Sequence, residues 1–178
     1  SLAVGSDFPD AVSAGALAAT PDRLPVLLSR SDVVPDVTVE ALTGRLGVRS
    51  LTLLGGRAVL EPSVTGQLEG LIPEVTRLGG RDRYATSLLA AEAALRRHDG
   101  GVPVVVATGE NFPDALAGTA LAAELEAILL LTPPSRVDER IEGFLARHAD
   151  RLEEVYVLGG RAVITDGVAR ALAAAAGA

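Results

Sequence analysis

The chain contains no cysteine, which excludes disulfide staples, thiol nucleophiles and thiolate metal sites. It contains no methionine either, and because it opens inside a repeated unit (below) it reads as a piece of something longer. Histidine is limited to His98 and His148, expected at the polar ends of helices. They are too sparse for a zinc site and lack the neighbours of a catalytic triad. The aromatic residues are Phe8, Tyr84, Phe112, Phe144 and Tyr156, fewer than a sugar-binding surface of stacked rings would carry. No apolar run approaches the ~20 residues of a membrane helix, so no membrane insertion is expected. Ser1–Val4 is strand-like, without the charged lead-in of a signal peptide. A phosphate-loop Gly-Lys-Ser and a Gly-x-Gly-x-x-Gly fingerprint are both missing, and no cofactor or metal is expected. Basic residues are outnumbered, 16 Lys and Arg against 23 Asp and Glu for a net charge of −7, which argues against nucleic acid as a partner.

What is present is a duplication. Val102–Val106 is a β-branched run suited to a strand buried on both faces. It turns at Thr108-Gly109 and re-emerges as a helix opened by Pro113, whose missing N–H costs nothing in a first turn, and by Asp114, which favours the positive end of the helix dipole. The same text stands 104 residues earlier, where Gly5–Gly15 matches Gly109–Thr119. The second half is complete. The first lacks a counterpart of the segment from Arg77 to Leu95. The expected division is a first, headless repeat over residues 1–76 and a complete one over 77–178. A chain of 178 residues buries about 70% of its unfolded surface, so neither half needs a staple.

Strand and helix alternate throughout. Strands are expected at Leu2–Val4, Pro25–Ser29, Arg49–Leu54, Val75–Leu78, from Val102, at Ile128–Leu131 and at Val155–Leu158. Helices are expected from Pro9 to Ala19, after Pro35 with Val39, Leu42 and Leu46 on one face, and from Pro62 to about Leu71. Further helices are expected along Tyr84, Leu88, Ala91 and Leu95, after Pro113, from about Arg136 to Ala149 and from Asp166. This pattern predicts an α/β fold with a largely parallel sheet and helices on both faces.

Three places are candidates for chemistry. Leu-Gly-Gly-Arg occurs at 54–57, 78–81 and 158–161, each time between an apolar strand and a helix, hence at the carboxyl edge where ligands of open α/β sheets bind. Arg57, Arg81 and Arg161 would present forked donors for carboxylate or phosphate there, or simply be solvated. Asp82 fits an N-cap, but Arg83 falls in the first turn of its helix, where a cation opposes the dipole. It therefore needs a partner, an internal carboxylate or an external anion; Tyr84 and Thr86 are expected to pack and bond internally. Asp10 and Asp114 have a sufficient reason to exist as helix openers and, alternatively, read as sheet-edge acids.

Four linked stretches resemble a known family. Arg77-Leu78-Gly79-Gly80-Arg81-Asp82-Arg83-Tyr84-Ala85-Thr86, then Ala107–Gly118, then Ile128–Thr132, then Val155–Gly160 look like the successive signatures of the type 2 cell-wall-binding repeat, in order across the second half and, without the head, in the first. The resemblance implies repeats of Rossmann-like or Toprim-like fold in a secreted protein of the cell wall or cell surface, often in tandem threes. It implies non-catalytic, non-covalent attachment through an anionic wall polymer. Arg81 and Arg83, with Arg57 and Arg161, are the polymer-binding candidates. A homo-oligomer, or packing with further repeats of the same protein, would complete the headless half. Two other readings stand beside it: an α/β small-ligand binder or hydrolytic enzyme using Asp10 and Asp114, and a ligand-free surface-layer spacer.

Overall fold

The computed structural model describes residues 1–18, 20, 21 and 23–177, the side chain of residue 16 excepted. Along the chain run β1 (Leu2–Val4), α1 (Phe8–Ala18), β2 (Leu27–Ser29), α2 (Asp36–Glu40), β3 (Ser50–Leu54), α3 (Pro62–Glu69), β4 (Glu74–Leu78) and α4 (Arg83–Leu95). They are followed by β5 (Val102–Thr108), α5 (Phe112–Leu125), β6 (Ile128–Thr132), α6 (Glu139–Arg147), β7 (Leu152–Val157) and α7 (Asp166–Ala175). The expected end of the first helix at residue 19 lies outside the described residues. Pro9 and Pro113 both occupy first turns, as the duplication requires.

Two sheets form, ordered β2-β1-β3-β4 and β6-β5-β7, and every pairing is parallel. In the first sheet neighbouring residues divide between two cores. Leu2, Val4, Leu51 and Leu53 face a cluster with Val34, Leu42, Leu60, Val64 and Leu68, whereas Ala3 and Leu54 face the larger cluster shared with the second half. This is the alternation of a pleated strand with both faces covered, so both sets of positions are apolar. In the second sheet all of β6 and nearly all of β5 are buried. Pro103 has no N–H to give the β5–β7 ladder, and the register slips between Val102 and Val104.

The division read at 76/77 falls inside β4. That strand pairs along its whole length with β3, from Ser50↔Glu74 to Leu54↔Leu78. The head of the second repeat thus supplies the fourth strand of the first sheet, and α4 packs on α1 before reaching β6. Helices α1 and α5 also touch through equivalent positions. The Phe8 and Phe112 rings lie 6.3 Å apart, and Gly15 abuts Thr119. Both pairs are separated by 104 residues, so the duplicated helices run side by side in one direction.

Two expectations needed correction. Leu46 does not join the face of Val39 and Leu42, being 48% exposed. Residues Ala41–Arg45 wind as a π-helix, with Leu46 N–H donating to Ala41 O at 2.9 Å, which breaks the 3.6-residue register. The sixth helix starts at Glu139 rather than Arg136, because Asp138 caps it by accepting from Arg140 N–H.

A half-buried ionic clamp joins α4 to α6. The Arg140 guanidinium donates to Asp138 at 2.5 Å and to Asp82 at 3.1 Å, while Asp82 also caps α4 by accepting from Ala85 N–H at 2.7 Å. Hydrogen bonds from Arg140 hold the Asp138 carboxyl below its ordinary pKa. At Asp82 burial works upward, but the Ala85 amide and Arg140 together outweigh it, so its pKa is lowered too. A carboxylate with a depressed folded-state pKa contributes stability above its unfolded value, about 3.9, and loses it as pH falls through the folded value.

Three outcomes are expected. Residues 1–72 alone, deprived of β4 and α4, show no cooperative thermal transition; a sharp melt of that fragment would contradict the shared strand. Asp138→Asn costs about 1.5–3 kcal/mol at pH 7 and flattens the stability–pH curve below about pH 4, as read by urea unfolding across pH. Gly15→Ala, normally favourable in a helix, is destabilising by about 1–3 kcal/mol, because the new Cβ stands 2.2 Å from Thr119 Cγ2. Adding Thr119→Ala recovers most of that loss in the same denaturation assay, and no recovery would mean the two helices do not meet there.

Candidate functional site

In the order β2-β1-β3-β4 the chain leaves β1 toward one edge and returns on the other side as β3. The crevice beyond their carboxyl ends is therefore a topological switch point, the usual ligand position in such sheets. Three turns surround it: Gly5–Asp7 after β1, Gly55-Gly56 after β3 and Gly79-Gly80 after β4. The two Gly-Gly turns are stacked so closely that a Cβ on Gly79 would lie 2.6 Å from Gly55 O. They enclose a cavity of about 190 Å³ lined by Asp7, Asp10, Gly56, Arg81 and Arg83 among others.

Asp10 and Asp114 explain why the helix-opening motif and the Gly-Gly turn recur together. Each carboxylate reaches the turn of its own sheet, and an added Cβ would stand 2.5 Å from Asp10 Oδ2 at Gly55 and 2.9 Å from Asp114 Oδ2 at Gly159. Those glycines have φ of +116° and +103°, a backbone conformation that side-chain-bearing residues rarely adopt. Asp10 is buried, and burial raises its pKa, helped by Asp7 and opposed by Arg83. Only Asp10 of the two lines the crevice; they serve separate turns and form no acid pair.

The arginines fare differently from one another. Arg83 has an internal partner, though not a carboxylate: its Nη1 donates to Gly109 O at 2.5 Å, and its guanidinium lies 5.7 Å from the Phe8 ring centroid. It thereby ties the two halves together while facing the crevice. Tyr84 and Thr86 bond internally as expected, Tyr84 Oη to Glu110 at 2.6 Å and Thr86 Oγ1 accepting from Gly80 N–H. Burial and Glu110 push the Tyr84 hydroxyl up to about 12. Arg81 stands at the rim, 78% exposed, 3.5 Å from Asp82. Arg161, at the corresponding turn of the second sheet, is 87% exposed and pairs with Asp166 at 3.2 Å. Arg57 is exposed and lines a second cavity of about 380 Å³ with Arg77, Thr65 and Glu69. The structure thus gathers Arg57, Arg81 and Arg83 at one sheet edge on two sides of stacked turns, and leaves Arg161 on the other sheet.

Sequence reasoning assigned no role to Arg77 or Arg140. Arg77 donates to Gly55 O at 2.7 Å and to Thr65 Oγ1 at 2.5 Å, pinning the Gly-Gly turn to α3. Its place at the start of the recurrent head was the available signal. Arg140 had none, since its partner Asp82 is 58 residues away. Among the described residues no three His, Asp or Glu side chains converge as metal ligands, and no helix is long and apolar enough to cross a membrane.

Comparison with known proteins agrees with this arrangement. The chain matches the family Cell wall binding domain 2 (CWB2) over residues 2–65 and 77–169. It is 29% identical over 108 residues to N-acetylmuramoyl-L-alanine amidase LytC of Bacillus subtilis (strain 168), spanning 61% of this chain and 20% of that protein. Among solved structures it superposes on Cwp8 from Clostridium difficile with a TM-score of 0.80 at 25% identity, covering 96% of this chain and 28% of that one. For Cwp6 from the same organism the TM-score is 0.83 at 27% identity, with 96% and 26% covered. The chain therefore spans between a fifth and a third of the length of these relatives. The unmatched gap between the two family segments holds most of β4, the strand by which one unit completes the sheet of the other. By two matched segments that together take in most of its residues, the protein belongs to the Cell wall binding domain 2 family.

Proposed function

We propose that this chain is a non-catalytic module that attaches a secreted protein to the bacterial cell wall or cell surface by binding an anionic wall polymer. The observation that carries the reading is the convergence of Arg57, Arg81 and Arg83 on the carboxyl edge of the first sheet. The stacked Gly-Gly turns present guanidinium donors there on both of their sides, Arg81 and Arg83 on one and Arg57 on the other. Arg161 adds a fourth cation on the second sheet. The net charge of −7 does not oppose this, because contact is decided by local field, and clustered guanidinium forks dominate near a sheet edge.

A hydrolytic role for Asp10 and Asp114 finds less support. The two carboxylates reach different turns, and among the described residues no histidine lines the Asp10 crevice to complete an acid–base constellation. A further repeat of the same protein is the natural packing partner. Phe112 and Leu116 are 56% and 58% exposed beside Phe8, on the helix face through which the two repeats here already meet.

The test is retention on purified cell walls before and after removal of anionic polymers. Wild type should be retained only on unstripped walls and released as salt rises from low to moderate ionic strength. Arg81→Ala should lose on the order of 1.5–3 kcal/mol of binding where its contact is dry and much less where it is wet. Arg81→Lys should fall between, keeping charge without the fork. Retention indifferent to stripping, to salt and to Arg81 would sink the reading, as would glycan or amide hydrolysis abolished by a folded Asp114→Asn variant.

A further inference from the structure

The cavity on the outer side of the stacked turns holds an unbalanced pair of charges. Arg77 and Arg57 both line it, close enough for Arg57 to lower the Arg77 pKa alongside burial. Among the described residues neither arginine forms an ion pair, although Glu69 lines the same space. Arg77 uses two of its five N–H donors on Gly55 O and Thr65 Oγ1. Those bonds hold its plane fixed, with donors to spare toward the cavity.

The duplication supplies an internal control. The counterpart of Arg57 is Arg161, which Asp166 neutralises at 3.2 Å from the first position of α7. The counterpart of Asp166 is Pro62, at the first position of α3. Where the second half carries its own carboxylate, the first half has a residue that cannot supply one, and it has a second arginine in reach. Two guanidinium groups sharing a cleft repel each other unless an anion lies between them.

We propose that Arg57 and Arg77, with Thr65, form a built oxyanion site that takes a phosphate or carboxylate group of a polymer chain. It is separate from the crevice of Arg81 and Arg83. The site rests on the reading of the chain as an anionic-polymer binder and deepens it by naming where an individual anionic group sits. Arg57 closes on the group from solvent, while Arg77 presents a preset fork, an arrangement suited to planar or tetrahedral oxyanions.

Pro62→Asp tests this directly, because it places in the first half the acid that the second half already has at a helix start. The intact 178-residue chain is titrated calorimetrically with short polyphosphate and with polyglutamate of matched charge, as wild type, Pro62→Asp, Arg57→Ala and Arg170→Ala, and the same proteins are applied to purified walls. Unchanged urea unfolding midpoints establish that Pro62→Asp and Arg57→Ala fold. Both should weaken binding of the preferred probe about tenfold, the low end for one charge-assisted hydrogen bond, while Arg170→Ala, which removes an exposed cation of α7 outside both arginine clusters, changes it by less than about twofold. The tighter probe identifies the group as phosphate or carboxylate. If the probe responds but wild type is not held by walls, the oxyanion site stands and the wall-attachment reading fails. If walls hold wild type and both first-half variants equally, with probe affinities unchanged, the site is overturned and the attachment reading survives.

Discussion

The structure depends on one lent strand. β4 straddles the junction of the two repeats in sequence and belongs by hydrogen bonding to the first sheet, where it pairs in continuous parallel register with β3. Parallel strands require a crossover, and here the crossover through α3 brings the chain to the edge of the sheet at the point where the next repeat begins. Everything downstream is placed by that pairing. α4 departs from Gly79-Gly80, packs on α1, and continues onto β6. A single large apolar cluster then forms from Ala3, Val12 and Leu54 of one half and Val105, Leu130 and Phe144 of the other. The two repeats are consequently not beads joined by a linker; each contributes to the interior of the other.

The same constraint builds the site. Strand β4 beside β3 brings the two Gly-Gly turns against each other, and a Cβ on Gly79 would run into the Gly55 backbone. Arginines that follow the turns are left on opposite sides of the stack, Arg81 and Arg83 toward the crevice with Asp10, Arg57 toward Arg77. The Asp10 carboxylate lies against the Gly55 turn, so the residue read as a helix opener, and alternatively as a sheet-edge acid, also borders a backbone turn. Family membership and the likeness to Cwp8 and Cwp6 are consistent with a surface built for binding.

Much of the fold was legible because local and global preferences coincide. The β-branched run at Val102–Val106, the Pro-Asp helix openings and the Gly-Gly stops each have a local physical cause, and each marks a real element. The failures have causes too. Leu46 was misplaced because a π-turn is set by how the chain must reach Gly47 and β3, not by the spacing of its apolar residues. The partner of Arg83 was framed as one anion or another. Its actual companions, a carbonyl in the turn after β5 and an aromatic ring in α1, come from parts of the chain that only packing brings near.

By itself the sequence determined the alternation of strand and helix, the duplication at 104 residues and the recurrence of Leu-Gly-Gly-Arg at sheet edges, because period, turn chemistry and repeat identity are properties of neighbouring residues. Tertiary structure alone decided which sheet receives β4, that Arg140 clamps Asp82 to Asp138, and that Arg57 and Arg77 share a cleft with neither in an ion pair among the described residues while Arg161 meets Asp166. The longer of those pairings join residues whose separations in the chain leave no local trace, 58 positions for Asp82 and Arg140, and charges so far apart find their partners only after the two sheets and their shared core have fixed where each side chain emerges.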